Sequence, residues 1–149
     1  MELSEKNMTE LHPLICESIR DGGQFVFYPT GISMLPTVIP NEDCVVLVEP
    51  KNIKKYDLIL FTRPNGKYVL HRIINIKNGE YIIKGDNQNW TEKTTIDKVI
   101  AKVSEVRKKD GSVITYNKLT STSTVAKLES RKFIKRVINK IKRMLKGKK

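Results

Sequence analysis

Three residue types that can cooperate in acyl transfer occur in order along this chain. Ser33 sits in Gly-Ile-Ser-Met-Leu-Pro-Thr (residues 31–37), a turn punctuated by glycine and proline that can hold a hydroxyl clear of regular structure. His71 lies in the apolar run Tyr-Val-Leu-His-Arg-Ile-Ile (68–74), and Asp86 in the turn Lys-Gly-Asp-Asn (84–87). A hydroxyl, an imidazole and a carboxylate are a nucleophile, a base and an orienting acid. Each has an ordinary structural explanation: a serine in a turn, a strand histidine, a polar β-turn. The chemical reading rests on the set.

The elements that must position these residues are mostly strands. Segments 25–28, 44–49, 57–61, 68–76, 81–84, 99–106 and 113–116 are rich in Val, Ile, Tyr and Phe and are separated by turn signals. Turns at 64–66, 77–79 and 109–111 end in glycine, which predicts tight connections. Such a pattern predicts an antiparallel sheet folded into a barrel or sandwich. A short helix is expected over 8–20, with Leu11, Leu14, Ile15 and Ile19 on one face, Thr9 as its cap and Pro13 in its first turn.

The charge is unevenly distributed. The chain has 149 residues and a net charge of +12, yet residues 118–149 hold 12 Lys/Arg against one acid, leaving 1–117 nearly neutral. Basicity confined to a tail argues against a nucleic-acid-binding domain, and Phe133 is the single aromatic among those charges. Residues 117–124 read as a polar linker. A helix should follow over 125–145, with Ile134, Val137, Ile138, Ile141, Met144 and Leu145 on one face and cations on the other. That pattern fits a helix lying on an anionic membrane surface. The organisation expected is an N-terminal helical segment (1–24), a β domain (25–117), and a linker with a basic amphipathic helix (118–149).

No apolar run is long enough to span a bilayer, and the first residues lack the pattern of a secretory signal. The expectation is a peripheral protein on the cytoplasmic face of the membrane. Cys16 and Cys44 have no cysteine or histidine at metal-ligand spacing, so they read as free thiols, with no metal or cofactor expected.

The runs GISMLPT, CVVLV, KKYDLILF, YVLHRIINI, YIIKGDN and VIAKV, in this order over about residues 25–106, resemble the core of type I signal peptidases. His71 before Arg72, where the common bacterial form has lysine, is similar to the Ser/His branch found in archaea and the endoplasmic reticulum. The resemblance implies the mainly β core fold, barrel-like, that these enzymes share with SOS-response repressors. It also implies a serine endopeptidase that cuts leader or signal segments from precursors, with Ser33 as nucleophile, His71 as base, Asp86 supporting the histidine and the Ser33 backbone N–H as oxyanion donor. Arg72 receives no catalytic role and reads as an exposed partner of a carboxylate.

Several positions depart from the family pattern. Gly31 stands where a serine hydroxyl often assists the oxyanion, and Glu42 and Tyr56 replace glycines that precede Asp43 and Asp57. Glu92 is the nearest candidate for a second acid after Asp86. The missing hydroxyl at Gly31 favours an alternative: a catalytically inactive module that binds extended peptides. A self-cleaving repressor fits less well, because its base is lysine and 1–24 is too short for a DNA-binding domain.

Overall fold

The computed structural model describes residues 5–147. Their order is α1 (Glu5–Ile19), β1 (Phe25–Phe27), β2 (Cys44–Val48), β3 (Leu58–Thr62), β4 (Tyr68–Lys77), β5 (Glu80–Lys84), β6 (Glu92–Thr94), β7 (Val99–Arg107), β8 (Val113–Thr115), α2 (Tyr116–Leu119) and α3 (Thr122–Lys146). The strands form an antiparallel sheet in the order β1-β2-β7-β3-β4-β5-β6, with β8 also on β7. The long β7 pairs with β2 on one side and divides its other side between β3 and β8.

All seven expected strands are present, and the chain is mainly β with a helix at each end. The sheet is not a barrel. Closure needs the two end strands to pair, and β1 pairs only with β2, β6 only with β5. Register shifts at Val46/Leu47, Leu60/Phe61 and Ile73/Asn75 break the regular ladder, and such shifts bend and twist strands without closing the sheet.

Successive strand residues point to opposite faces, and β3 is apolar on both. Leu58 and Leu60 join the larger core, whereas Ile59 and Phe61 join a smaller cluster with Ile73 and Ile83. The larger core is covered by α1 through Met8, Ile15 and Ile19. Leu14, expected on this face, is exposed. The helix already includes Glu5, so Thr9 is not its cap and Pro13 lies inside it. Packing of an amphipathic face sets helix limits more strongly than local signals do.

Residues 117–124 are mostly helical, with only Thr120 and Ser121 between α2 and α3. Tyr116–Leu119 makes one turn that buries Leu119 completely. Ser121 then caps α3 by accepting from the Thr124 N–H at 3.2 Å, so the Ser/Thr run is N-cap chemistry. The first part of α3 is docked on the body: Leu128 is buried, Glu129 pairs with Lys84 at 2.9 Å, and Lys132 Nζ donates to the Gln88 carbonyl at 3.0 Å. Beyond it, Phe133, Ile134, Val137, Ile138, Ile141, Met144 and Leu145 are all exposed, and α3 ends at Gly147. Among the described residues no helix is long and apolar enough to cross a membrane.

Candidate active site

His71 follows Leu70 on β4. Leu70 joins the larger core, so the next side chain turns to the opposite face. There it lies across from Ile59, with its ring centroid 6.1 Å from that of Phe61, and is 1% exposed. Its Nδ1 is 3.1 Å from Oε1 of Glu92 on β6. No well-directed hydrogen bond to Nδ1 accompanies this approach, and the pair interacts chiefly through charge. Arg63, one residue past β3, holds Glu92 in a two-pronged grip, Nε to Oε2 at 2.9 Å and Nη2 to Oε1 at 2.7 Å. That guanidinium keeps the Glu92 carboxyl ionised below its usual range. Burial pushes the His71 pKa below its ordinary value. Glu92 opposes this shift without reversing it, and Arg63 adds to it. The imidazole is therefore neutral at neutral pH.

Asp86 is not the carboxylate beside His71. Arg72, adjacent to His71 on the strand, points to the other face and takes Asp86 with two bonds, Nε to Oδ1 at 2.8 Å and Nη2 to Oδ2 at 3.0 Å. Thr37 Oγ1 donates a third bond to Asp86 Oδ2 at 2.5 Å. Strand alternation separates the two acids: Glu92 serves the histidine face and Asp86 the arginine face. Arg72 is also far from exposed. It is 1% accessible and its Nη1 donates to the carbonyls of Tyr56 (3.1 Å) and Leu119 (2.6 Å). Tyr56 itself has φ 78, a left-handed conformation that favours glycine. This accounts for the glycine expected there on the resemblance.

Ser33 is half-buried in the loop between β1 and β2, a loop that contains a cis Leu35–Pro36 bond. The turn at 85–88 backs onto it. Asn87 N donates to the Ser33 carbonyl at 2.8 Å, and Asn87 Nδ2 to that of Ile32 at 3.2 Å. A Cβ at Gly85 would sit 2.6 Å from the Ser33 carbonyl oxygen, so only glycine fits the approach. The Ser33 N–H has no acceptor among the described residues. Ser33 and His71 line one cavity of about 280 Å³ together with Thr30, Gly31, Met34 and Tyr68. A Cβ at Gly31 would meet nothing within 4 Å, so no packing demand explains the glycine there. Asp43 and Asp57 are structural: Asp43 accepts from Ile39 N and Lys109 N and pairs with Lys108, and Asp57 accepts from Lys54 N and the Tyr116 hydroxyl.

The arrangement can therefore offer a hydroxyl, a neutral imidazole backed by a fixed carboxylate, and an open backbone N–H around one space. Among the described residues no group of three or more His, Cys, Asp or Glu is arranged to hold a metal ion. Neither family models, nor curated proteins, nor solved structures give a significant match to this chain. The pairing of Glu92 with His71 was only faintly legible in the sequence. Its signal was an acid six residues past Asp86, in a segment too short and polar to read as a strand.

Asp86→Asn should destabilise the fold by about 3–5 kcal/mol, because it leaves the buried Arg72 without its counter-charge. Urea unfolding checks this, and Glu92→Gln, at a partly exposed site, should cost clearly less. His71 should titrate below 6.5 in an NMR pH series and lower still in Glu92→Gln, which removes the carboxylate favouring the charged ring. Since the folded pKa is depressed, His71 contributes stability above the unfolded value, and that stability is lost progressively as pH falls below about 6.5.

Proposed function

We propose that this chain is a serine endopeptidase of signal-peptidase type that removes leader or signal segments from precursor peptides. The observation that carries the reading is that Ser33 and His71, 38 positions apart in sequence, line the same cavity, with Glu92 behind the imidazole. The resemblance of the strand and loop motifs to type I signal peptidases supports the same chemistry.

In this mechanism His71 accepts the proton of Ser33 Oγ as the oxygen attacks the scissile carbonyl. Nδ1 faces Glu92, which leaves Nε2 for the hydroxyl. The carbonyl oxygen becomes an oxyanion and is stabilised by the Ser33 N–H. His71 then gives its proton to the leaving amine, and water hydrolyses the acyl-enzyme by the reverse proton path. A neutral imidazole is needed at the start, and burial supplies it. The imidazolium formed midway gains from the Glu92 charge. Asp86 acts here as a positioning residue for the serine loop, through Thr37 and the neighbouring Asn87. No hydrogen bond joins Ser33 to His71 directly, a bond that in unliganded enzymes often forms only once substrate closes the site.

The outer half of α3 anchors the enzyme to an anionic membrane surface. Phe133, Ile134, Val137, Ile138, Ile141, Met144 and Leu145 are exposed, and residues 133–146 carry six Lys/Arg and no acid. Each cation near such a surface contributes about 1 kcal/mol. The cytoplasmic leaflet, with its negative surface potential, is the side that suits this charge.

Gly31, lacking the side-chain oxyanion donor, favours a second reading in which the same cavity only binds peptide. A fluorophosphonate probe separates the two. It should label Ser33, with no label on Ser33→Ala and about a hundredfold slower labelling of His71→Ala; an unlabelled wild-type protein would mean the serine is not activated. For the membrane contact, co-sedimentation with phosphatidylglycerol vesicles should be lost in Ile141→Asp/Leu145→Asp and weakened by high salt. Unchanged sedimentation of that variant would remove the anchor.

A further inference from the structure

A second, larger cavity of about 680 Å³ lies between the first half of α3 and the body, within the range of roughly 300–1,000 Å³ typical of small-molecule sites. Leu119 and Leu128, both buried, and Ile114, half-buried, line it with Ile134. Lys118, Lys127 and Arg131 are exposed on its wall. None of the three has an ion-pair or hydrogen-bond partner for its side chain among the described residues, and the lining includes no acid. The next cation along the helix, Lys132, is by contrast held by Glu129 and the Gln88 carbonyl.

We propose that this groove binds a single anionic phospholipid, its acyl chain against Leu119, Leu128 and Ile114 and its phosphate against Lys118, Lys127 and Arg131. Three unpaired cations around an apolar wall complement a molecule that is both anionic and greasy. An acidic peptide is the weaker fit, because its backbone N–H and C=O groups need partners and most polar groups here are engaged. Thr37 Oγ1 donates to Asp86, Thr124 Oγ1 donates to the Lys118 carbonyl, and the Leu119 carbonyl accepts from Arg72. An acyl chain needs none. Ile134 belongs both to the groove and to the exposed apolar face of α3, so the cavity is continuous with the surface assigned to the bilayer. The inference rests on that membrane reading, and its test separates the two.

The experiment uses the full chain and dihexanoyl phosphatidylglycerol, kept below its micelle concentration, in isothermal titration calorimetry. One saturable equivalent should bind. Dihexanoyl phosphatidylcholine and glycerol phosphate should bind at least about tenfold more weakly, the first lacking net charge and the second the chains. Ala126→Trp, which fills the groove from an exposed position, and Lys127→Glu/Arg131→Glu should each weaken binding about tenfold or more while leaving thermal unfolding unchanged. Ile141→Asp/Leu145→Asp should lose vesicles yet still bind the soluble lipid. Absent saturation, equal affinity for the two lipids, or unchanged binding by both groove variants would overturn the proposal. Binding of an acidic peptide with no binding of lipid would reassign the groove to peptide. Unchanged vesicle binding by the distal α3 variant would overturn the anchor and leave the groove site standing.

Discussion

The buried Arg72–Asp86 pair draws the serine loop, the strand of His71, the loop before β3 and the α2 turn to one point. A guanidinium cannot shed its charge, so burying one obliges the fold to surround it with acceptors. Here the acceptors come from three separate pieces of chain: the 85–88 turn through Asp86, the loop before β3 at Tyr56, and the α2 turn at Leu119, while the serine loop joins by donating from the Thr37 hydroxyl to Asp86. Removing any one would leave a buried polar group unpaired. The pair thereby ties the serine loop to β4, the strand that carries His71. It also favours the left-handed conformation of Tyr56, whose carbonyl and N–H are both engaged, the latter with the Ile73 carbonyl at 2.7 Å.

Two carboxylates that look interchangeable in the sequence are separated by one residue of strand geometry. His71 and Arg72 are neighbours, so they face opposite sides of β4, and each recruits its own acid. On one side the pair is sealed and structural. On the other, Glu92 is partly exposed and shared between Arg63 and His71, which leaves the imidazole buried, neutral and able to gain a proton against a fixed negative charge. One strand thus supplies both a rigid brace and a titratable base, with no side chain required to do both.

Much of the fold was legible from pattern alone. The continuous apolar run Leu58–Phe61, the β-branched run through Ile73 and Ile74 and the glycine turns gave seven strands nearly to the residue, because β-branched and aromatic residues bounded by turn signals suit a pleated, buried surface. β6 was not legible: Glu92 and Lys93 disfavour strands, the segment is only three residues long, and it pairs along the edge that β5 offers. Nor was the mostly helical state of 117–124, where a serine- and threonine-rich run reads as linker unless Leu119 is known to be buried and Ser121 to cap. The barrel expectation failed for a related reason. Strand count and turn lengths do not say whether the two end strands meet.

Local composition and spacing specify seven of the strands and the two long helices, the turn at the serine, the neighbourhood of histidine and arginine, and the concentration of charge toward the C-terminal end. Tertiary structure alone decided which acid faces the imidazole, that Arg72 is buried, that the sheet stays open, and that α3 is half docked and half bare. Those depend on which side of a strand a residue lands and on which distant segments converge there, and neither quantity is carried by any short stretch of chain.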